Sequence, residues 1–173
     1  MKLLVALALV ACGSRSAREE PVPQPSARVA PVPADAATEV PTQAAELQRW
    51  LVAAHYKAWA HESKDHSSDG PHGDTVRTFT SPALASSLAD KRAAHPKGAA
   101  AVKELYEAGK HSGWAVSVKV ADDSAKGNGW YWYEVFSTSA SAKAQFHGIG
   151  TKLCRECHES GGTDLVLIPY PLQ

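Results

Sequence analysis

Proline is unevenly distributed along this chain, and its distribution limits which part can fold. Six of the eleven prolines lie between Pro21 and Pro41, in a stretch that begins at Gly13 and is otherwise mostly Ala, Ser, Val and charged residues. A segment with so few large apolar side chains cannot bury a core and behaves as an extended spacer. The remaining residues, 42–173, suffice for one globular domain but not for two.

The first residues have the features of a secretory signal. Lys2 precedes a run of nine apolar residues, 3–11, which is too short to span a bilayer as a helix. Leu9-Val10-Ala11-Cys12 is similar to the lipobox at which bacterial lipoproteins are cleaved and acylated. We therefore expect a signal peptide at 1–11, a lipidated Cys12 and a linker at 12–41, with anchoring at the periplasmic side of the outer membrane. An ordinary secretory signal that happens to end in cysteine is the alternative.

The folded part is expected to be an α+β domain, an antiparallel β-sheet meander packed with a few helices. The segment at 114–120 alternates, with Trp114, Val116 and Val118 on one face and Ala115 and Ser117 on the other. Ser81-Pro82 provides an N-cap and a first-turn proline. Periodicity and turn residues predict a helix at 42–61, a strand at 75–80, a helix at 82–94, and strands at 99–107, 114–120 and 130–136.

The charge balance excludes one class of partner. Eighteen Lys and Arg residues balance eighteen Asp and Glu residues. No net field would draw the chain to nucleic acid or to an anionic membrane surface. The only membrane contact that we expect is through the lipid anchor.

Cys154-Arg155-Glu156-Cys157-His158 is a C-x-x-C-H sequence, the pattern of covalent haem c attachment in exported proteins. The two cysteines would bond the porphyrin and His158 would be the axial ligand of the iron. A Cys154–Cys157 disulfide and a zinc site are the alternatives. Zinc would need further thiolates or imidazoles at suitable spacing, and the chain has no second C-x-x-C.

The ligand on the other side of such an iron can be narrowed. Met1 is the only methionine and leaves with the signal peptide, so a His/Met electron-transfer cytochrome is excluded. Histidine, lysine, a small molecule or an open position are left. The histidine candidates are His55, His61, His66, His72, His95, His111 and His147, of which we favour His72 and His147.

From 74 to 171 the chain resembles the cytochrome P-460 family, which includes the cytochromes c′-beta. The matching pieces are the following, in order: Thr75-Val76-Arg77-Thr78-Phe79, Ser81-Pro82, Lys97-Gly98, Val102-Lys103-Glu104-Leu105, Ser117-Val118-Lys119, Trp130-Tyr131-Trp132-Tyr133, the C-x-x-C-H segment, Thr163-Asp164-Leu165-Val166 and a closing Pro-Tyr-Pro.

The resemblance implies one haem held against an antiparallel sheet, ligated by His158 and open on the other side to nitric oxide or hydroxylamine. Lys103 matches a lysine that is cross-linked to the porphyrin in the hydroxylamine-oxidising branch. Arg77 matches an arginine near the distal pocket. A solvated strand lysine and a surface arginine are the alternatives for these two residues. By analogy with the family, a homodimer is expected.

The chain departs from the family at one position. The distal carboxylate of the hydroxylamine oxidases aligns with Ala115, which cannot act as an acid or a base. Glu104 or Glu134 could approach from another strand. The aromatic residues Phe79, Trp114, Trp132 and Phe136 would either line a dry pocket, as in the c′-beta branch, or pack in the core.

Three functions follow from these observations, in order of preference. The first is a periplasmic mono-haem cytochrome whose open iron binds nitric oxide or a related nitrogen ligand. The second is a low-potential electron carrier with a second histidine ligand and a redox partner protein. The third is a hydroxylamine oxidase, which needs the Lys103 cross-link and a proton acceptor.

Overall fold

The computed structural model describes residues 39–68 and 70–173. The predicted signal peptide, Cys12 and the linker up to residue 38 lie outside the described residues. The end of the predicted linker is part of the fold, because Val40 is buried in the main apolar core. The folded part therefore includes Val40, two residues before the predicted boundary at Thr42.

The predicted α+β class is confirmed, with three α-helices around one seven-stranded antiparallel sheet. The elements in chain order are α1 (Ala44–Val52), β1 (Ala60–His61), β2 (His66–Ser67), β3 (Thr75–Thr80), α2 (Pro82–Ala89), β4 (Ala100–Glu107), β5 (Lys110–Lys119), β6 (Trp130–Val135), β7 (Phe146–Ile149) and α3 (Lys152–His158). Two short 3₁₀ turns, His55–Ala58 and Ala125–Gly127, complete them.

The sheet is a meander, as predicted, with the order β1-β3-β4-β5-β6-β7 and with β2 also paired to β3. The long strands lie close to their predicted positions, and β3 matches its prediction residue for residue. Three short strands, β1, β2 and β7, were not predicted. They have two to four residues each, which is too short for an alternating pattern to be recognised.

The predicted helix at 42–61 is wrong in its second half. Helix α1 ends at Val52, and Ala54 has a left-handed backbone with φ of 60°. The chain turns there and buries Tyr56 edge-on against Phe79. Tertiary burial of one aromatic ring therefore outweighs a helical pattern that continues in the sequence. Helix α2 begins as predicted, with Ser81 Oγ accepting the Leu84 N–H at 3.3 Å, but it ends at Ala89.

The two faces of the sheet have different neighbours, as the alternation in β5 predicted. The helix face packs against α1 and carries Phe79, Val102, Glu104, Trp114, Val116, Tyr133 and Val135. The cavity face points toward α2, α3 and the C-terminal segment and carries Val76, Lys103, Ala115, Lys119, Trp130, Trp132 and Glu134.

Within the described ranges, none of the helices combines the length and the apolar character needed to cross a membrane.

Candidate functional site

Helix α3 brings the C-x-x-C-H residues to the cavity face. It starts directly after β7, where Gly150 has φ of 63° and lies so close to Asn128 that a Cβ would collide with it. Cys154 is half-buried and packs with the Trp132 cluster, and Cys157 is exposed. Both are free thiols. Burial raises the pKa of the Cys154 thiol to about 11, so this side chain is protonated and neutral at pH 7.

His158 is held in one orientation by a backbone carbonyl. Its Nδ1 lies 2.7 Å from the Leu165 oxygen, and because a carbonyl only accepts, Nδ1 must be the donor. Burial lowers the pKa of His158 to about 4. The ring is therefore neutral at pH 7, with its Nε2 lone pair available as a metal ligand. A histidine fixed through Nδ1 by a carbonyl is typical of metal-binding imidazoles.

His158 lines two cavities. The larger has a volume of about 810 Å³, and its lining includes Val76, Cys157 and Leu167. This volume falls in the range of about 300–1,000 Å³ that cofactor sites occupy. The smaller cavity lies between α3 and the sheet, against Cys154 and Trp132.

Lys103 and Arg77, the two residues suggested by the family resemblance, lie on opposite faces of the sheet. Lys103 lines both cavities with His158. Arg77 lies on the helix face, where its Nε donates to the Glu62 carbonyl at 2.8 Å and its guanidinium lies 5.5 Å from the Phe79 ring centre. The reason is the strand register, since Arg77 pairs with Glu104 and side chains alternate along a strand. Arg77 is therefore not among the residues brought together at the site.

A carboxylate does reach the cavity, from the strand next to Ala115. Glu134 of β6 is directly opposite Ala115 of β5 and shares its face. Glu134 is only 6% exposed, and its Oε1 accepts a hydrogen bond from His72 Nδ1 at 2.7 Å. Of the two glutamates considered from the sequence, Glu134 is therefore at the site and Glu104 is on the helix face.

His72 lies beside His158, and His147 does not. The ring centres of His72 and His158 are 6.3 Å apart, and both rings line the two cavities. His147 pairs with Tyr133 and so belongs to the helix face. His66 also lines the larger cavity, where it forms an ion pair with Glu62 at 3.3 Å.

The four aromatic residues considered for the pocket divide between different environments. Phe79 and Trp114 belong to the core of the helix face, whereas Trp132 lines the smaller cavity, with its ring centre 4.6 Å from that of His158. Phe136 is 51% exposed and lies beyond the end of β6. Only Trp132 is therefore in contact with the site.

The donor set fits a haem c group. Trp132 Nε1 is buried and has no hydrogen-bond partner among the described residues, although buried indole N–H groups usually find one. A bound group with acceptor atoms would satisfy it. No cluster of three or more His, Cys, Asp and Glu side chains that could hold a metal ion is found in the described ranges. A porphyrin supplies four ligands itself, so one imidazole flanked by two thiols suffices for its iron.

No model of a known protein family matches the chain, and no curated protein matches it either. The relation to the cytochrome P-460 family is therefore a proposal that depends on the order of the motifs in the sequence.

The sequence motif identified the three attachment residues, but it did not indicate their partners. The Leu165 carbonyl and the Trp132 ring that hold His158 carry no sequence signal, because a backbone carbonyl is common to all residues. The pairing of His72 with Glu134 joins positions 62 residues apart. Only the fold brings such positions together.

Proposed function

We propose that this chain is a mono-haem c-type cytochrome. The observation that carries the proposal is that Cys154, Cys157 and His158 lie on one short helix beside a cavity of suitable volume, with His158 Nδ1 already held by the Leu165 carbonyl. Neither a disulfide nor a zinc site requires that second contact. Haem, when bound, supplies an iron that binds a small ligand or carries one electron.

The residues of the chain have separate tasks in this proposal. Cys154 and Cys157 form the thioether bonds, and His158 holds the iron through Nε2. The Leu165 carbonyl fixes the tautomer and the orientation of the imidazole. Trp132 packs against that ring and limits the access of water.

We infer that the cavity accepts nitric oxide or a related nitrogen ligand. Lys103, His72 and Glu134 bring a cation, an imidazole and a carboxylate to an otherwise largely apolar cavity. Such a cavity admits a small ligand and offers it hydrogen bonds. The His72–Glu134 pair can also hold or deliver a proton, which supports turnover of hydroxylamine as an extension of the same site.

One observation supports a second candidate, an electron carrier in which His72 is the other axial ligand. His72 is near His158, and its Nδ1 is bound to a carboxylate, as it is in many metal-ligating histidines. This arrangement leaves Nε2 of His72 to act as a ligand. A redox partner protein would then exchange electrons with the haem.

The experiment that separates the two candidates is the optical spectrum of the ferrous protein before and after carbon monoxide, in material matured with haem-attachment enzymes. An open iron gives a large shift at once in the wild type. Ligation by His72 gives a wild type that resists carbon monoxide and a His72→Ala variant that binds it. His147→Ala is the matched control, because this histidine lies on the helix face. A wild type without covalent haem would overturn both candidates.

The mass of the haem peptide tests the hydroxylamine-oxidising extension. A cross-link would place Lys103 and the C-x-x-C-H segment in one proteolytic fragment. If Lys103 is recovered in a separate peptide, the haem is attached through the two cysteines alone. Lys119, buried on the same face of the sheet, is the control lysine.

We further propose that Cys12 carries a lipid that anchors the domain at the periplasmic side of the envelope, in the outer membrane. The signal-like segment and the proline-rich spacer support this location. A Cys12→Ser variant should move from the membrane fraction to the soluble fraction while it retains its haem. If the variant stays in the membrane fraction, the anchor is elsewhere. Gel filtration of the same soluble variant would test for a homodimer.

A further inference from the structure

The carbonyl that holds His158 belongs to a turn with an unfavourable backbone. Asp164 and Leu165 both have left-handed conformations, with φ of 52° and 69°. Residues with a Cβ rarely adopt this region, and for a bulky side chain such as leucine it is a clear outlier. Two successive residues of this kind persist only where surrounding contacts hold them.

A buried ion pair holds this turn. Lys119 of β5 donates to Asp164 Oδ2 at 2.6 Å, and the two side chains are 0% and 4% exposed. The same carboxylate accepts hydrogen bonds from the Ser124 hydroxyl and, at 2.8 Å, from the backbone N–H of His95. Every one of these donors comes from outside the turn, so the position of Asp164 is set by the sheet and by two other loops.

The pair is well satisfied electrostatically. Burial alone would raise the pKa of Asp164, but the hydrogen bonds from Lys119, Ser124 and the His95 N–H outweigh it and hold the pKa below its usual value. Lys119 also lies 5.1 Å from the Trp130 ring centre. The charged pair is therefore a stable anchor at pH 7, one residue from Leu165.

We propose that Lys119 and Asp164 are positioning residues for the axial histidine. They hold the Asp164–Leu165 turn in its left-handed conformation, and this conformation aims the Leu165 carbonyl at His158 Nδ1. The inference rests on the proposed haem function, because it concerns the ligand strength of that imidazole. The alternative is a buried ion pair that only stabilises the C-terminal segment.

A positioning role has a spectroscopic consequence. A hydrogen bond from Nδ1 to a fixed carbonyl makes the imidazole a stronger electron donor to a metal. Its loss weakens the iron–histidine bond and disfavours the oxidised iron relative to the reduced one. Loosening the turn should therefore lower the iron–histidine stretching frequency and raise the reduction potential.

The test compares variants of the full haem-loaded protein by resonance Raman spectroscopy of the ferrous form and by redox titration. Asp164→Asn removes the charge and keeps the shape, and Ser124→Ala removes one donor and is the milder change. Glu104→Gln is the matched control, because it alters an equally buried carboxylate on the helix face. We expect a lower stretching frequency and a higher potential in Asp164→Asn, a smaller shift of the same sign in Ser124→Ala, and wild-type values in Glu104→Gln.

The outcomes distinguish the two levels of the proposal. Wild-type protein without covalent haem would overturn the proposed function itself. Haem-loaded variants at Asp164 and Ser124 that retain the wild-type frequency and potential, however unstable they are, would overturn the positioning role and leave the function intact. If Asp164→Asn does not fold, the result for Ser124→Ala decides. Shifts of equal size in Glu104→Gln would also overturn it, because they would reflect general loosening of the domain.

Discussion

Two buried glutamates, Glu104 and Glu134, lie on opposite faces of the same sheet and have different surroundings. Glu104, on the helix face, is 1% exposed and accepts hydrogen bonds from Tyr56 and, at 2.8 Å, from Tyr106. Lys57 forms an ion pair with it at 2.5 Å. Its carboxylate is thus fully engaged by groups that belong to the fold.

Glu134 has one hydrogen-bond partner among the described residues, His72, and it faces a cavity. The two carboxylates are similarly hidden from water but differ in what their oxygens can still accept. A saturated buried carboxylate is a stabilising contact, whereas one at a cavity can still act on a ligand. The comparison indicates that the helix face stabilises the domain and that the cavity face carries its chemistry.

The largest expected effect is on stability, at the helix face. Glu104→Ala leaves two buried tyrosine hydroxyls and Lys57 without their acceptor and should lower the free energy of unfolding by about 3 kcal/mol or more. Urea denaturation of the haem-loaded protein measures it. Glu134→Ala is the matched change on the cavity face and should cost less than half as much. Equal losses would break the comparison.

The next effect is on ligand binding, at the cavity face. Glu134→Gln removes the charge that orients His72 and should weaken binding of nitric oxide or carbon monoxide about tenfold, which corresponds to about 1.4 kcal/mol. Titration of the ferrous protein with each gas gives the dissociation constants. Glu104→Gln should leave them unchanged. A Glu134→Gln variant with wild-type affinity would mean that this carboxylate plays no part at the iron.

The pH dependence of stability should also follow the helix face. Burial alone would raise the pKa of Glu104, but the bonds from Lys57, Tyr56 and Tyr106 outweigh it and keep the pKa below its usual value. A lowered carboxyl pKa stabilises the fold above the unfolded value of about 4.3 and loses that contribution as the pH falls through the lower folded value.

Urea denaturation between about pH 6 and pH 3 therefore should show a constant stability in the upper part and a decline below about pH 4.3, of at most about 1.4 kcal/mol per pH unit for this one group. Glu104→Gln should flatten the decline but not remove it, because the pKa of Asp164 is lowered as well. An unchanged slope in this variant would contradict the assignment.

The smallest effect is expected at Arg77. Replacement by alanine removes one bond to the Glu62 carbonyl and a contact with the Phe79 ring, worth about 1 kcal/mol of stability together. Ligand affinity should not change, because the side chain is on the helix face. Lys103→Ala, at the cavity, is the comparison variant and should change it. A loss of affinity in Arg77→Ala would restore the role that the family resemblance implies.

Local patterns in the sequence were sufficient for much of the fold. The alternation from Trp114 to Val120 predicted which side chains share a face, because the two-residue period of a strand is set by the backbone. Ser81-Pro82 predicted where α2 begins. The short strands and the end of α1 could not be predicted, since they depend on pairing and burial with distant parts of the chain.

The candidate site divides in the same way. The spacing of Cys154, Cys157 and His158 is a property of one helical turn, and it therefore appears in the sequence. The faces of Lys103 and Arg77 follow from alternation only after the register is known, so the sequence alone could not separate them.

By itself, then, the sequence determined the α+β class, the main strands and the three residues that propose haem attachment, because each depends on neighbours within a few positions. Only the tertiary structure decided that Glu134 and His72 meet at the cavity, that Arg77 does not, and that a turn held by Lys119 and Asp164 carries the carbonyl bound to His158. These contacts join residues on different strands and loops. Their geometry depends on how the whole sheet pairs and packs, and no local pattern encodes it.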